Sequence, residues 1–311
     1  MRKPDVLVVG KRPDWYLARM AEEFTLHRVP NDDPAHLDTT LADRIEVLTS
    51  SGVVGRPLIE ALPKLRLIAN GGAGYEKIDL DAVRERGLVL TNTPAVTDGC
   101  VADMAFALFL SAARAVARGD RFVRAGRWLH EEFPLVPRVH GRRMGILGMG
   151  RIGLAIARRA AGFDMDVAYH NRRRRDDVAY TYHPSVLDLA RASDFLMVAC
   201  PGGAETHHIV DAAVLEALGP KGIVVNIARG PIIDERALIS ALQRGRIMAA
   251  GLDVFEHEPE VPAELIALEN VVLTPHRAGG TEETWVDACE LVMDNVRAHF
   301  EGTPYPTPVA L

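Results

Sequence analysis

Cysteine is scarce in this chain: 311 residues hold three, Cys100, Cys200 and Cys289, scattered and odd in number. That excludes the disulfide framework of small secreted domains and suits a reducing compartment, each thiol reading as small apolar filler. Long apolar runs are missing too. None approaches the ~20 residues of a membrane helix, and residues 1–5 lead into a strand-like run without a signal-peptide core. A cytoplasmic protein is expected, with no membrane partner. Neither sign of charge dominates. A net charge of −6 and a pI near 6.0 speak against a nucleic-acid binder. Ligand spacing for a metal is lacking as well. His207 and His208 are adjacent, which from a helix or strand does not aim two ligands at one ion, and His170 and His183 belong to no set, so no metal is expected.

What is present fits a globular protein of two ordinary domains, with 48% hydrophobic and 25% charged residues. Through the first ninety-odd residues strand-like runs (6–9, 45–48, 67–69, 88–90) alternate with helix-like ones (13–24, 57–62). Such alternation predicts a parallel sheet with helices on both faces, and in such sheets ligands bind at the carboxyl ends of strands. One of those ends, Asn70-Gly71-Gly72-Ala73-Gly74-Tyr75, can expose backbone N–H groups as an anion-binding concavity or simply be a flexible loop. Ser50, Ser51, Gly52 and Val53 follow another and are candidates to line a pocket. A long helix is predicted over about 99–125, followed by an irregular apolar loop at 128–140, uncomfortable in water and expected to pack on a partner chain.

The stretch from 143 to 174 organises the rest. An apolar run, Met144-Gly145-Ile146-Leu147, is followed by Gly148-Met149-Gly150-Arg151-Ile152-Gly153, a helix-like segment at 154–161, and a second apolar run ending at His170-Asn171-Arg172-Arg173. Strand, glycine turn, helix and strand together predict dinucleotide binding. Gly148 permits the turn, Gly150 admits a pyrophosphate, and Gly153 lets helix and strand pack closely. Where an acid would hold the ribose of NAD, 21 residues past Gly150 (171 − 150), stands Asn171, followed by Arg172 to Arg175. A neutral side chain does not repel a 2′-phosphate and guanidinium groups attract one, so NADP(H) is favoured with NAD(H) possible, Arg172 and Arg173 being the expected contacts. The alternative is that the arginines form a solvated face.

Further strand-like runs end at Cys200-Pro201, Asn226-Ile227-Ala228-Arg229-Gly230 and Thr274-Pro275-His276. Arg229, Glu258 and His276 are each ambiguous alone. Together they supply what reduction of a 2-oxo acid requires: a guanidinium for the carboxylate and carbonyl, a histidine to deliver the proton, and a carboxylate to favour that histidine's charged form.

At this point the chain resembles the D-isomer-specific 2-hydroxyacid dehydrogenase family. The resemblance rests on Gly148 to Gly153, on Asn226 to Gly230, and on Gly251-Leu252-Asp253-Val254-Phe255-Glu256-His257-Glu258-Pro259. Thr274-Pro275-His276-Arg277-Ala278-Gly279-Gly280 and Asn92-Thr93-Pro94 add to it. It implies two doubly wound α/β domains, a cofactor domain at 96–280 and a discontinuous substrate domain at 1–95 and 281–311, with the active site in the cleft between them. It further implies that Arg229 binds substrate, His276 is the acid/base and Glu258 its partner. Ala73 and Gly74 would offer N–H groups to the substrate carboxylate. Asp253 would hold the nicotinamide carboxamide, Cys200 and Pro201 would line the adenine side, and Arg151, Ile152 and Ala228 would join the cofactor site. Phe133-Pro134-Leu135 and Tyr169-His170-Asn171-Arg172 resemble the NADPH-preferring branch of glyoxylate/hydroxypyruvate and hydroxyphenylpyruvate reductases, implying a homodimer in which residues 133–136 reach the neighbouring subunit. Two rivals share the fold. A formate-dehydrogenase-like enzyme is expected to carry Gln at position 258, and a corepressor-like nucleotide sensor is expected to have long recruiting tails.

Overall fold

The computed structural model describes residues 3–50 and 52–311, so Ser51 lies outside the described residues. Two compact units emerge, Met1–Thr97 with Gly280–Leu311, and Asp98–Gly279.

The first unit holds a five-stranded sheet of β1 (Asp5–Val9), β2 (Thr25–Val29), β3 (Val47–Ser50), β4 (Leu67–Asn70) and β5 (Val89–Thr91). Every pairing is parallel and the order is β2-β1-β3-β4-β5, the flavodoxin-like winding. Strands β3 and β4 are buried at every position, as expected of apolar runs covered on both faces. Helices α1 (Asp14–Ala21), α2 (Thr39–Ala42), α3 (Arg56–Glu60) and α4 (Leu80–Glu85) connect them. Side chains of Asp38 and Asp79 cap α2 and α4 by accepting first-turn N–H groups.

The second unit begins with α5 (Asp98–Ala113) and α6 (Val116–Arg124). The single helix predicted over 99–125 is therefore two, bent by 58°. The break sits at Ala115, whose φ of +50° is left-handed and cannot continue a right-handed helix. Helix α5 is apolar nearly all round because it is buried, Ala102, Ala105 and Phe109 being fully covered. Then follow β6 (Arg143–Leu147), α7 (Arg151–Ala161), β7 (Asp166–His170), β8 (Thr181–Tyr182), α8 (Val186–Arg191) and β9 (Phe195–Val198). The unit closes with α9 (Ala212–Leu218), β10 (Ile223–Asn226), α10 (Glu235–Gln243), β11 (Ala249–Leu252), α11 (Ala263–Ile266) and β12 (Val271–Leu273). The sheet is wholly parallel in the order β12-β11-β10-β9-β6-β7-β8. The winding reverses between β6 and β9, which makes this the dinucleotide-binding Rossmann arrangement and puts its ligand crevice at their carboxyl ends.

The last helix, α12 (Glu282–Glu301), returns to the first unit and buries Cys289, Val292, Met293 and Val296 with Val47, Leu67 and Ala69 of the sheet. A charged clamp ties it to α1. The Arg297 guanidinium grips Glu23 at 2.6 and 2.7 Å, and Arg19 reaches both Glu23 at 3.1 Å and Glu290 at 2.6 Å. These guanidiniums, Arg297 foremost, pull the Glu23 carboxyl from 4.5 down to about 2. A lowered folded-state value means the stabilisation is complete above the unfolded value and is lost as pH falls from 4.5 towards 2. Unscreened it would be roughly 3 kcal/mol, and partial exposure of the pair reduces it to about 1 kcal/mol. Glu23→Gln is therefore expected to lower stability by about 1 kcal/mol at neutral pH, with the gap closing on acidification; urea melts at pH 7 and pH 3 measure it, and an equal deficit at both would exclude the clamp.

Candidate active site

The crevice at the switch point is a cleft of about 1150 Å³, lined by Gly148, Gly150, Arg151 and Ile152 of the glycine turn, by Asn171, Arg172 and Arg173 beyond β7, and by Cys200 and Pro201 beyond β9. The glycines divide their tasks as the motif predicts. Gly148 has φ +103°, and a Cβ there would meet the Cys200 backbone N at 2.4 Å; one on Gly153 would meet the Gly148 carbonyl at 2.1 Å. At Gly150 a Cβ would find no atom within 4 Å, so that position faces open space at the N-terminus of α7, where unpaired N–H groups favour an anion. Gly153 is buried beneath the turn. Ala228 and Asp253 are not among the residues that line this cleft.

The tip of β7 is more specialised than a run of arginines suggests. Asn171 Oδ1 accepts the Met149 N–H at 2.7 Å, so its side chain braces the glycine turn. Arg175 braces it from the other side, donating to the Met149 carbonyl at 2.7 Å while paired with Asp177. Arg174 faces Asp176 at 3.9 Å. Only Arg172 and Arg173 of the four line the cleft. Arg172 meets Glu205, another cleft residue, at 2.5 Å, with both side chains about three-quarters exposed. Burial pushes the Cys200 thiol up to about 11, which suits an inert wall and not a nucleophile.

Beyond β12 the chain forms a tight loop whose centre is Asp253, fully buried at the end of β11. Its Oδ1 accepts from the Thr274 hydroxyl at 2.6 Å and the Arg277 N–H at 2.9 Å, and its Oδ2 accepts from the Ala278 N–H at 2.7 Å. Its carbonyl accepts from His276 N at 2.8 Å. His276 sits between these anchors with φ +51°, a left-handed conformation that an L-residue holds only when its surroundings fix it. The imidazole Nδ1 lies 2.7 Å from Glu258 Oε2, while Glu258 Oε1 accepts the Phe255 N–H at 3.1 Å. This leaves Nε2 as the outward atom. The sequence motif links Glu258 to His276; the anchoring by Asp253 has no signal in it, since its three partners lie 21 to 25 residues away.

Arg229 follows β10. Asn226, itself buried, shapes its approach by donating to the Arg229 carbonyl at 2.9 Å and accepting from Ala228 N at 3.0 Å. In the first unit the 71–75 loop is held by its carbonyls. Asn70 Nδ2 donates to Gly72 O and Gly74 O at 2.8 and 2.9 Å, and Asn92 Nδ2 to Ala73 O at 2.7 Å. These bonds hold three successive carbonyls of the loop in place.

The 128–140 loop behaves in two ways. Phe133 packs onto α6, 5.3 Å from the Phe122 ring and beneath Arg118. Trp128, Leu129 and Leu135 are strongly exposed. Among the described residues no single helix is long and apolar enough to cross a membrane.

Three comparisons bear on this arrangement. The family model of the D-isomer specific 2-hydroxyacid dehydrogenase NAD-binding domain matches residues 106–278. Hydroxyphenylpyruvate reductase of Plectranthus scutellarioides is 48% identical over 266 residues, 86% of this chain and 85% of that protein. Glyoxylate reductase of Pyrococcus horikoshii is 38% identical over 321 residues, 99% of this chain and 96% of that one. A crystal structure of an NADPH-dependent glyoxylate/hydroxypyruvate reductase from Sinorhizobium meliloti, in complex with NADP and malonate, superposes with a TM-score of 0.93 at 43% identity, covering 99% of this chain and 97% of that one.

Proposed function

Because the chain belongs to the D-isomer-specific 2-hydroxyacid dehydrogenase family, we propose that it reduces a small 2-oxo acid such as glyoxylate or hydroxypyruvate to the D-2-hydroxy acid with NADPH. The observation that carries this is the His276–Glu258 pair at 2.7 Å on a loop locked by Asp253, an acid/base device held in one geometry. Relatives named for glyoxylate, hydroxypyruvate and hydroxyphenylpyruvate reduction support the substrate class.

The second unit fits NADPH. Open space over Gly150 and the α7 N-terminus suit a pyrophosphate. Arg172 and Arg173 flank the cleft beside the neutral Asn171 at the tip of β7; a 2′-phosphate would have to take the place of Glu205 on Arg172. When bound, NADPH supplies the hydride that reaches the carbonyl carbon. Arg229 pairs with the substrate carboxylate and draws charge towards the carbonyl oxygen. Protonated His276 delivers its proton to that oxygen as it becomes an alkoxide, and Glu258 holds the imidazolium against Nδ1. The N–H groups of Ala73 and Gly74 are proposed as further donors to a carboxylate.

Initial rates across glyoxylate, hydroxypyruvate, pyruvate, phenylpyruvate and 4-hydroxyphenylpyruvate test the reading. Turnover is expected on at least one, faster with NADPH than NADH. Arg172→Ala is expected to raise the NADPH KM about tenfold, the loss of one charge-assisted contact, and to leave the NADH KM unchanged. Equal KM changes for both cofactors would return the arginines to a solvated face, and no turnover at all would favour a nucleotide sensor.

The exposed Trp128, Leu129 and Leu135 support a homodimer as the protein's assembly. Light scattering is expected to give twice the 34.0 kDa chain mass, and a fully active monomer would exclude this.

A further inference from the structure

The adjacent histidines that offer no metal site on a helix or strand are on neither. A single helical turn over Ala204–Thr206 ends at His207, and His208 then takes φ +51°. That left-handed step lays the two imidazoles face to face, centroids 3.9 Å apart and planes 29° from parallel. Glu256, on the loop after β11, puts Oε1 2.9 Å from His208 Nε2. One donor atom from each of the three side chains lies within 4.8 Å of the other two. His208 and Glu256, though not His207, line a cavity of about 670 Å³ whose walls carry Asp234, Glu235 and Glu264, with Arg236 and His257 as the basic groups.

We propose that His207, His208 and Glu256 bind a divalent cation of the zinc class, which ties the loop after β9 to the loop after β11. Two imidazole nitrogens and one carboxylate oxygen are a donor set for zinc, cobalt or nickel, whereas calcium and magnesium take oxygen ligands almost alone. Bonds of about 2.0–2.2 Å in a tetrahedral site separate donors by roughly 3.4 Å. His208 Nε2 and Glu256 Oε1 stand 2.9 Å apart and no pair of donors exceeds 4.8 Å, so rotation of the stacked imidazoles would complete the site, with water as fourth ligand. The acidic walls raise the local cation concentration. The ion has a route to the rest of the second unit. Glu205 and Thr206, next to His207, line the cofactor cleft, and Glu256 is two residues before the Glu258 that meets His276.

The competing account is a plain His208–Glu256 ion pair, with His207 stacked beside it. His207 is exposed, so its replacement removes a metal ligand and a ring stacked on His208 while leaving the His208–Glu256 hydrogen bond and the core in place. Titration of metal-free protein with zinc chloride, followed calorimetrically, is expected to show one ion per chain bound in the micromolar range. Cobalt chloride is expected to give the visible absorption of a four-coordinate nitrogen–oxygen site. His207→Ala and His208→Ala are each expected to weaken zinc binding at least tenfold, the scale on which metal sites respond to lost supporting groups, while His276→Ala leaves it unchanged. Absence of binding at millimolar zinc overturns the proposal. So does unaltered binding in His207→Ala, or binding lost in His276→Ala, which would place the ion at the acid/base pair.

Discussion

Replacing His276 with asparagine is expected to lower kcat for 2-oxo acid reduction by about 10² to 10⁴, the range that general acid catalysis contributes, while leaving NADPH affinity as it is. The separation of the two effects comes from the structure. His276 lies on the loop after β12, outside the residues that line the cofactor cleft, so losing the imidazole removes the proton donor without altering the cofactor's walls. Asparagine keeps a polar group of similar breadth and a tolerance for the left-handed φ of +51° found there. The Asp253 bonds to Thr274, Arg277 and Ala278 should then persist, and a melting temperature close to wild type would show it. Glu258→Gln should cost less, about tenfold in kcat, because an amide oxygen can still accept from Nδ1 but does not stabilise an imidazolium as a carboxylate does. Stopped-flow reduction with saturating NADPH, alongside cofactor titration by fluorescence, measures both quantities. A His276→Asn enzyme with unchanged kcat would remove the acid/base assignment and, with it, the mechanism proposed above.

The pairing of His276 with Glu258 was legible because both residues lie in short local strings. The same holds for the strands that line the centre of each sheet. Strands β3, β4, β9 and β10 are buried at every position and apolar up to the Thr49-Ser50, Asn70 and Asn226 that end three of them, since a parallel strand covered on both faces has no solvent side to mark. Strand β2 had no such signature. It is an edge strand of sequence Thr-Leu-His-Arg-Val, mostly half-exposed, and its polar residues read as loop. The break between α5 and α6 was hidden for the opposite reason. Arg114 and Ala115 are good helix formers with no glycine or proline beside them, so only the tertiary structure turns Ala115 left-handed. Pairings across long separations were equally silent. His208 meets Glu256 48 residues on and Arg172 meets Glu205 33 residues on, and periodicity carries no information at that range. The Asn171 side chain shows the limit within a motif that was recognised. Its identity pointed to cofactor choice, whereas its Oδ1 accepts from the glycine turn, a contact the motif does not state.

Arg229→Ala is expected to reduce kcat/KM by about 10³ or more, since it removes a charge-assisted partner of the carboxylate together with a donor to the oxygen that gains charge. The two contributions separate in the kinetics. Pairing with the carboxylate is equally present before and during reaction, so its loss raises KM; polarising the carbonyl counts only as the alkoxide forms, so its loss lowers kcat. Both parameters should therefore move. Arg229→Lys tests the geometry and not the charge. The backbone at 226–230 is fixed by Asn226, which bonds both the Arg229 carbonyl and Ala228 N, so a lysine would start from the same place with a single ammonium where a planar fork had been. Recovery of KM towards wild type with kcat still low would show that charge suffices for binding and the fork is needed for catalysis. Full recovery of both would reduce Arg229 to a point charge. A rise in KM alone in Arg229→Ala would confine it to carboxylate binding and leave stabilisation of the forming alkoxide to His276.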